Sequence, residues 1–361
     1  MHTETSGTAV SRRALLRGGL TGVAGLALGG TLLSACGGSA GGAGDGKTLV
    51  FTGFGGDFQK AMTKAWLDPF SKETGVKILQ EEPSDYAKLQ TMVDAGKPTW
   101  SVVNVGGDFG LGDTVRLLEP LDCGEIECAT QLGVTTDHRV PLMVYARPIV
   151  FRRDRLSGGT PRTWADVWDT ERFPGKRAFD ERLSSSATLE AALIADGVAP
   201  RDLYPLDVER ALRKFDEIRR DVIWFDSSDR GQQLFVSGEA TVGHIPSGRI
   251  KEMAGAGVDV GASWLQFGLN ADYLVIPRGT ANLDAAQRLV AYITSAEHNA
   301  NLSNYFAYAP ANREAVGKVN AEAKPYLATT YLDQDPFTID DEWWNENRRD
   351  VEVTFREWQS R

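Results

Sequence analysis

Residues 49–58 read Leu49-Val50-Phe51-Thr52-Gly53-Phe54-Gly55-Gly56-Asp57-Phe58: a short apolar run, a glycine-rich turn with an acid, then an aromatic. An apolar run bounded by such a turn describes a buried strand. Phe58 to Glu73 then predicts an amphipathic helix, with Lys64, Lys72 and Glu73 among its polar positions. This unit recurs. Trp100-Ser101-Val102-Val103-Asn104-Val105 leads into Gly106-Gly107-Asp108-Phe109, Val222-Ile223-Trp224-Phe225 into Asp226-Ser227-Ser228, and Ala240-Thr241-Val242-Gly243 into His244-Ile245-Pro246-Ser247. Strands alternating with helices imply an α/β fold with mostly parallel sheets. Ligands of such sheets bind beyond the carboxyl ends of the strands, where these turns lie.

Two segments favour two lobes over one long sheet. Val140 to Phe151, with Pro141 and Pro148, is extended and long enough to pass between domains, and the apolar segment Ala271 to Pro277 can return. Paired crossovers make a hinge. Helices for the second lobe are expected in Trp164-Ala165-Asp166-Val167-Trp168, Leu189 to Ile194 and Val208 to Ile218. Gln287 to Tyr292 and the acidic, Trp-rich tail Asp340 to Trp358 complete the fold. The expected division is 47–145 plus 273–312 for lobe one and 146–272 plus 313–361 for lobe two.

The head of the chain carries an address. Ser11-Arg12-Arg13-Ala14-Leu15-Leu16-Arg17 has the twin-arginine form of an export leader, and the weakly apolar run after it ends at Leu33-Ser34-Ala35-Cys36. Residues 1–35 are therefore expected to be a lipoprotein signal peptide of bacterial type, with Cys36 the lipidation site. Acyl chains contribute about 0.8 kcal/mol per buried CH₂, so two or three of them anchor a protein stably to a membrane. Gly18 to Ala35 falls short of the roughly 20 predominantly apolar residues of a membrane span, and seven of its positions are Gly or Ser. Residues 36–46 read as a flexible tether, nearly all Gly, Ala and Ser. Gly37-Gly38-Ser39-Ala40-Gly41 has the spacing of a nucleophile elbow, but lacks the strand before it and the helix after it that such an elbow needs.

The formal net charge of −10 becomes −12 without the three arginines and one glutamate of the leader. That disfavours nucleic acid as a partner and weakly favours a cationic ligand. After Cys36 the cysteines are Cys123 and Cys128, in Cys-Gly-Glu-Ile-Glu-Cys; outside the cytoplasm a local disulfide is expected, with two free thiols as the alternative. Beyond the leader the histidines are His138, His244 and His298, widely scattered, with no His-Glu-x-x-His. No metal, cofactor or enzymatic triad is expected from that set.

The motifs together resemble the extracellular solute-binding proteins of ATP-binding-cassette importers, in particular the spermidine/putrescine-binding-like group. The strings that carry the resemblance are Phe54-Gly55-Gly56-Asp57-Phe58 with Asp68-Pro69-Phe70-Ser71-Lys72-Glu73-Thr74-Gly75; Leu118-Glu119-Pro120-Leu121-Asp122; Thr163-Trp164-Ala165-Asp166-Val167-Trp168-Asp169; Phe173-Pro174-Gly175-Lys176-Arg177; Asp272-Tyr273-Leu274-Val275-Ile276-Pro277; and Asp341-Glu342-Trp343-Trp344. The resemblance implies a two-lobed clamp of the periplasmic-binding-protein type (type II) with a hinge between the lobes. Such a clamp closes on a small molecule and docks on permease and ATPase subunits. It further implies that Asp272 is the principal amine-binding carboxylate, that Phe54 and Phe109 are aromatic contacts, that Ser227 is a polar contact, and that Tyr308 lies in a loop near the cleft. Asn270 and Pro246 stand where the family places stacking tryptophans, and Ser184 and Ala187 where it places acids for a far amine. A monoamine, a zwitterion or an uncharged polar solute is therefore expected in preference to a long diamine or triamine.

Read as residues alone, several positions keep two roles. Asp272 is a ligand contact or a cap on the loop that follows. Asp57 and Asp108 follow glycines at turn or helix starts, where Asp is favoured as an N-cap. Gly55-Gly56 and Gly106-Gly107 leave backbone N–H groups free for a carboxylate. Phe54 is core or cleft, and Arg249 is a surface residue or a bidentate partner for a ligand carboxylate.

Overall fold

The computed structural model describes residues 47–361. The twin-arginine leader, Cys36 and the tether lie outside the described residues.

The opening stretch folds as expected. β1 (Thr48–Thr52) runs into a helical segment that is α-helical over Gly56–Met62 and Asp68–Thr74, with a π-helical turn at Thr63–Leu67 between. Gly75, at φ 72°, ends it in the left-handed conformation that glycine adopts without a Cβ penalty. Its inner face buries Ala61, Met62, Trp66 and Phe70 against β1, and the Trp66 indole N–H donates to the His298 carbonyl at 2.8 Å.

The other main strands are β2 (Lys77–Glu81), β3 (Val102–Val105), β4 (Val140–Arg152), β5 (Lys176–Asp180), β6 (Val222–Phe225), β7 (Ala240–His244) and β8 (Val260–Val275), with two-residue strands at Ala309–Pro310 beside β4 and Phe337–Thr338 beside β8. Their spatial order is β2-β1-β3-β8-β4-β7-β5-β6. At one end β1 pairs parallel with β2 and β3, and at the other β5 pairs parallel with β6 and β7. The middle is antiparallel: β3 with β8, β8 with β4, and β4 with β7.

One sequence expectation is corrected here. The sheet is mixed rather than mostly parallel, and its two halves are joined through the crossover segments. β4 and β8 hydrogen-bond to each other from Val140↔Leu274 to Arg152↔Val260, so the crossover segments are themselves the central strands. β8 begins at Val260, well before Ala271; Ser263, Gln266, Asn270 and Asp272 interrupt its apolar pattern.

The halves of the sheet have separate cores. One gathers Phe51, Trp66, Phe70, Val102, Leu274 and Leu289; the other gathers Trp164, Phe179, Leu193, Phe215, Trp344 and Trp358. The C-terminal helix, Asp341–Gln359, buries Trp344, Val351, Phe355 and Trp358 in the second core. Cys123 and Cys128 are joined by a disulfide. No helix among the described residues is long and apolar enough to cross a membrane.

Candidate functional site

A cleft of about 960 Å³ is lined by turns and strands from both halves of the sheet. That is at the upper end of ordinary small-molecule sites, roughly 300–1,000 Å³. Of the expected residues, Phe54, Gly55, Asp57, Asp108, Ser227, Arg249, Asp272 and Tyr308 line it.

Gly107 and Phe109 are not part of that lining. The chain turns tightly after β3, the Phe109 N–H donating to the Gly106 carbonyl, and this brings Gly106 rather than Gly107 to the wall. Gly107 faces the C-terminal helix, where a Cβ would collide with the Asp341 carboxylate, and its carbonyl accepts from Arg139 at 2.6 Å. Phe109 is 3 % exposed and packs beneath Tyr86 with ring centroids 4.4 Å apart, so Tyr86 supplies the wall's aromatic instead.

The capping roles also differ from expectation. Gly55, at φ 92°, holds the N-cap position, which leaves Asp57 in the first turn, paired with Lys60 at 2.8 Å. Asp108 pairs with Arg348 at 2.6 Å. Ser227 does cap: its hydroxyl accepts from the Arg230 N–H at 3.3 Å as it opens the helix Ser228–Ser237. Arg249 is no free surface residue. Its guanidinium pairs with Asp229 at 2.7 Å and Glu252 at 3.0 Å, and its side chain is 16 % exposed. Ser184 lines the cleft, whereas Ala187 is buried in the second core.

Two unlike charges lie deep in the cleft. Asp272, on β8, is 7 % exposed, and among the described residues no ion pair reaches it. Burial pushes its carboxyl up to about 7, with a hydrogen bond from Asn104 and the charge of Arg147 acting the other way. Arg147, on β4, is 2 % exposed; its Nη1 donates to Asp180 Oδ2 at 2.8 Å, while its Nε has no hydrogen-bond partner. Arg182 grips the same Asp180 through Nε at 2.9 Å and Nη2 at 2.6 Å. Burial alone would raise the Asp180 carboxyl, but the two guanidiniums outweigh it and hold it at about 2. Two guanidiniums sharing one carboxylate leave a net positive charge. Nearby His244 stays neutral, its imidazole lowered to about 3 by burial and then by the charge of Arg147.

An aromatic wall stands between these charges. Tyr145 lies on β4 between Met143, which faces Asp272, and Arg147. Its ring is 5.2 Å from Tyr308, which in turn is 4.8 Å from Phe306 and 5.4 Å from Phe58. Burial and then the Asp272 charge keep the Tyr145 hydroxyl protonated. Phe54 sits at the mouth, 43 % exposed. Around the cleft, six carboxylates (Asp57, Asp108, Glu181, Asp229, Asp272, Glu352) face five guanidiniums (Arg147, Arg182, Arg249, Arg348, Arg356), so its lining is close to electrically balanced.

Sequence reasoning missed Arg147, Arg182, Tyr86, Tyr145 and Arg348. Arg147 had a usable signal, since a lone arginine inside the apolar run Val140 to Phe151 must be buried and partnered. Arg182 and Arg348 sit among other charges and carry no such mark.

Residues 65–329 match the model of a family described as bacterial extracellular solute-binding protein. The gamma-aminobutyric acid-binding protein of Pseudomonas aeruginosa is 27 % identical over 325 residues, covering 87 % of this chain and 92 % of that protein. Spermidine/putrescine-binding periplasmic protein 1 of Haemophilus influenzae is 25 % identical over 266 residues, 69 % of this chain and 72 % of that one. Among solved structures, a GABA receptor superposes with a TM-score of 0.81 at 38 % identity, covering 86 % of this chain and 97 % of its own. With the family model matched over residues 65–329, this chain belongs to the bacterial extracellular solute-binding protein family.

Proposed function

We propose that this protein captures a small zwitterion, an amino acid with its amine and carboxylate at opposite ends of a short aliphatic stem, and delivers it to the permease of an ATP-binding-cassette importer. The observation that carries this reading is the pair of buried, opposite and incompletely satisfied charges, Asp272 and Arg147. A buried charge is strongly unfavourable unless paired, so a ligand that supplies both missing partners is stabilised at both ends. The ammonium meets Asp272, the carboxylate meets Arg147 and Arg182, and the stem lies along Tyr145 and Tyr308. Charge-assisted hydrogen bonds are roughly twice as strong as neutral ones, and a ring face beside a cation adds about 0.5–2 kcal/mol once water is excluded. The near balance of charge around the cleft favours a zwitterion over a polyamine, and the GABA-binding relatives support the same class.

Titration calorimetry with 4-aminobutyrate, putrescine and spermidine tests the reading. The expected result is binding of 4-aminobutyrate near micromolar, about −8 kcal/mol, and a loss of about 100-fold in Arg147→Ala, in line with roughly 1.5–3 kcal/mol for a hydrogen bond to a charged group. Tight binding of putrescine with no response to any amino acid overturns it.

We further propose that the twin-arginine leader exports the chain and that lipid on Cys36 holds it at the membrane, where the tether keeps the receptor near its permease. Cys36→Ser is expected to move the protein from the membrane to the soluble fraction. Lobes of 47–145 plus 273–312 and 146–272 plus 313–361 close on the ligand about the strands near Val144 and Asp272.

A further inference from the structure

The C-terminal helix reaches both halves of the molecule, and one of its side chains enters the amine end of the cleft. While Trp344, Val351, Phe355 and Trp358 anchor it in the second core, Asp341 and Arg348 meet residues of the first half. Asp341 accepts from Arg139 at 3.1 Å and from the Tyr273 hydroxyl at 3.0 Å. Arg348 donates through Nη1 to Asp108 Oδ2 at 2.6 Å.

Asp108 is a second carboxylate of the amine end. Its charge acts both on Asp272 and on the buried Tyr86 hydroxyl, and the charge of Arg348 opposes it at Tyr86. Asp108, Asp272, Tyr86 and Arg348 all line the same cleft. Left to itself, this end would present two carboxylates to a ligand, a set suited to two positive charges. With Arg348 in place, one of them is neutralised from within the protein.

We infer that Arg348 is an internal counter-cation that sets the charge of the ligand this cleft accepts: by occupying Asp108 it leaves Asp272 as the free carboxylate and selects one ammonium over two. The inference deepens the zwitterion reading and rests on it for the preferred ligand. A purely structural role for Arg348, pinning the helix, predicts lower stability with no change in selectivity.

The test is titration calorimetry of the full-length protein and its Arg348→Gln, Arg348→Lys and Arg348→Gln/Asp108→Asn variants with putrescine and 4-aminobutyrate. In Arg348→Gln the affinity for putrescine relative to 4-aminobutyrate is expected to rise about tenfold or more, because a half-buried carboxylate is released to the second ammonium. Arg348→Lys keeps the wild-type ratio, and removing Asp108 as well abolishes the gain. A ratio in Arg348→Gln within about threefold of wild type, less than 1 kcal/mol, overturns the inference, as does a gain that survives loss of Asp108. Should Arg348→Gln fail to fold, Arg348→Met keeps the aliphatic stem along the helix and carries the same expectation. If the wild type ignores 4-aminobutyrate the zwitterion reading fails, and the change in putrescine affinity between variant and wild type still decides the role of Arg348.

Discussion

Asp272 keeps its proton to about pH 7 because its carboxyl is buried. An ammonium needs the carboxylate, so amine binding must expel that proton. Below pH 7 the affinity is expected to fall by up to about tenfold per pH unit, and calorimetry in buffers of different ionisation enthalpy should detect close to one proton released at pH 6. The same group affects stability with a definite sign. Between about pH 4 and 7 the folded chain holds a proton that the unfolded chain has lost, so Asp272 makes the empty protein less stable as pH rises through that window. Asp272→Asn is therefore expected to lose amine binding yet raise the melting temperature at pH 8, with a gain on the order of 2–4 kcal/mol, at ~1.4 kcal/mol per tenfold in proton affinity. A lower melting temperature at pH 8 would show that the carboxylate has a partner in the empty protein. Asp180 behaves oppositely: Arg147 and Arg182 hold it at about 2, so its contribution is present above about pH 4 and is lost as pH falls toward 2.

The C-terminal helix depends on its tertiary packing. In proteins most helical stability comes from packing of an apolar face, and this helix is fixed by an apolar stripe and one buried polar node. Trp344 is fully buried and donates its indole N–H to Glu190 at 2.9 Å; Tyr204 donates its hydroxyl to the same carboxylate at 2.6 Å. Burial raises the Glu190 carboxyl. Trp344→Ala removes both the ring and a donor, with an expected cost of about 3–5 kcal/mol measured by urea denaturation. Because Asp341 and Arg348 lie on the same helix, that variant should also weaken ligand binding, an effect that packing in the second core alone would not produce. The acidic, Trp-rich pattern of Asp340 to Trp358 marks this tail as part of the fold. Its contacts across the cleft are not marked, since Arg348 sits among solvated charges such as Arg349 and Asp350.

At the scale of the molecule, β4 and β8 are the long elements shared by both halves of the sheet. Closure of the cleft is expected to bend or twist this pair with the two cores kept intact. Small-angle scattering should show a smaller radius of gyration with saturating ligand, and identical profiles would refute the clamp. If the twin-arginine leader acts as proposed, the chain folds in the cytoplasm with Cys123 and Cys128 reduced, and their bridge forms only after export. Cys123→Ser with Cys128→Ser is then expected to leave export and ligand binding in place, with a loss of about 1–2 kcal/mol in stability for so short a loop.

The α/β class, most strand and helix positions and the first-half turns at the cleft follow from the sequence, because apolar period and turn chemistry act locally. The turn pattern brings Asp57 forward, whereas Ser227 and Asp272 are reached through the family resemblance and not through local pattern. The mixed sheet does not follow, since the pairing of β4 with β8 joins residues more than a hundred positions apart. Nor do the partners of Arg147, Arg182 and Arg348. Local pattern shows that a charge is present, but only packing decides which charges are buried, which neutralise one another and which are left for a ligand.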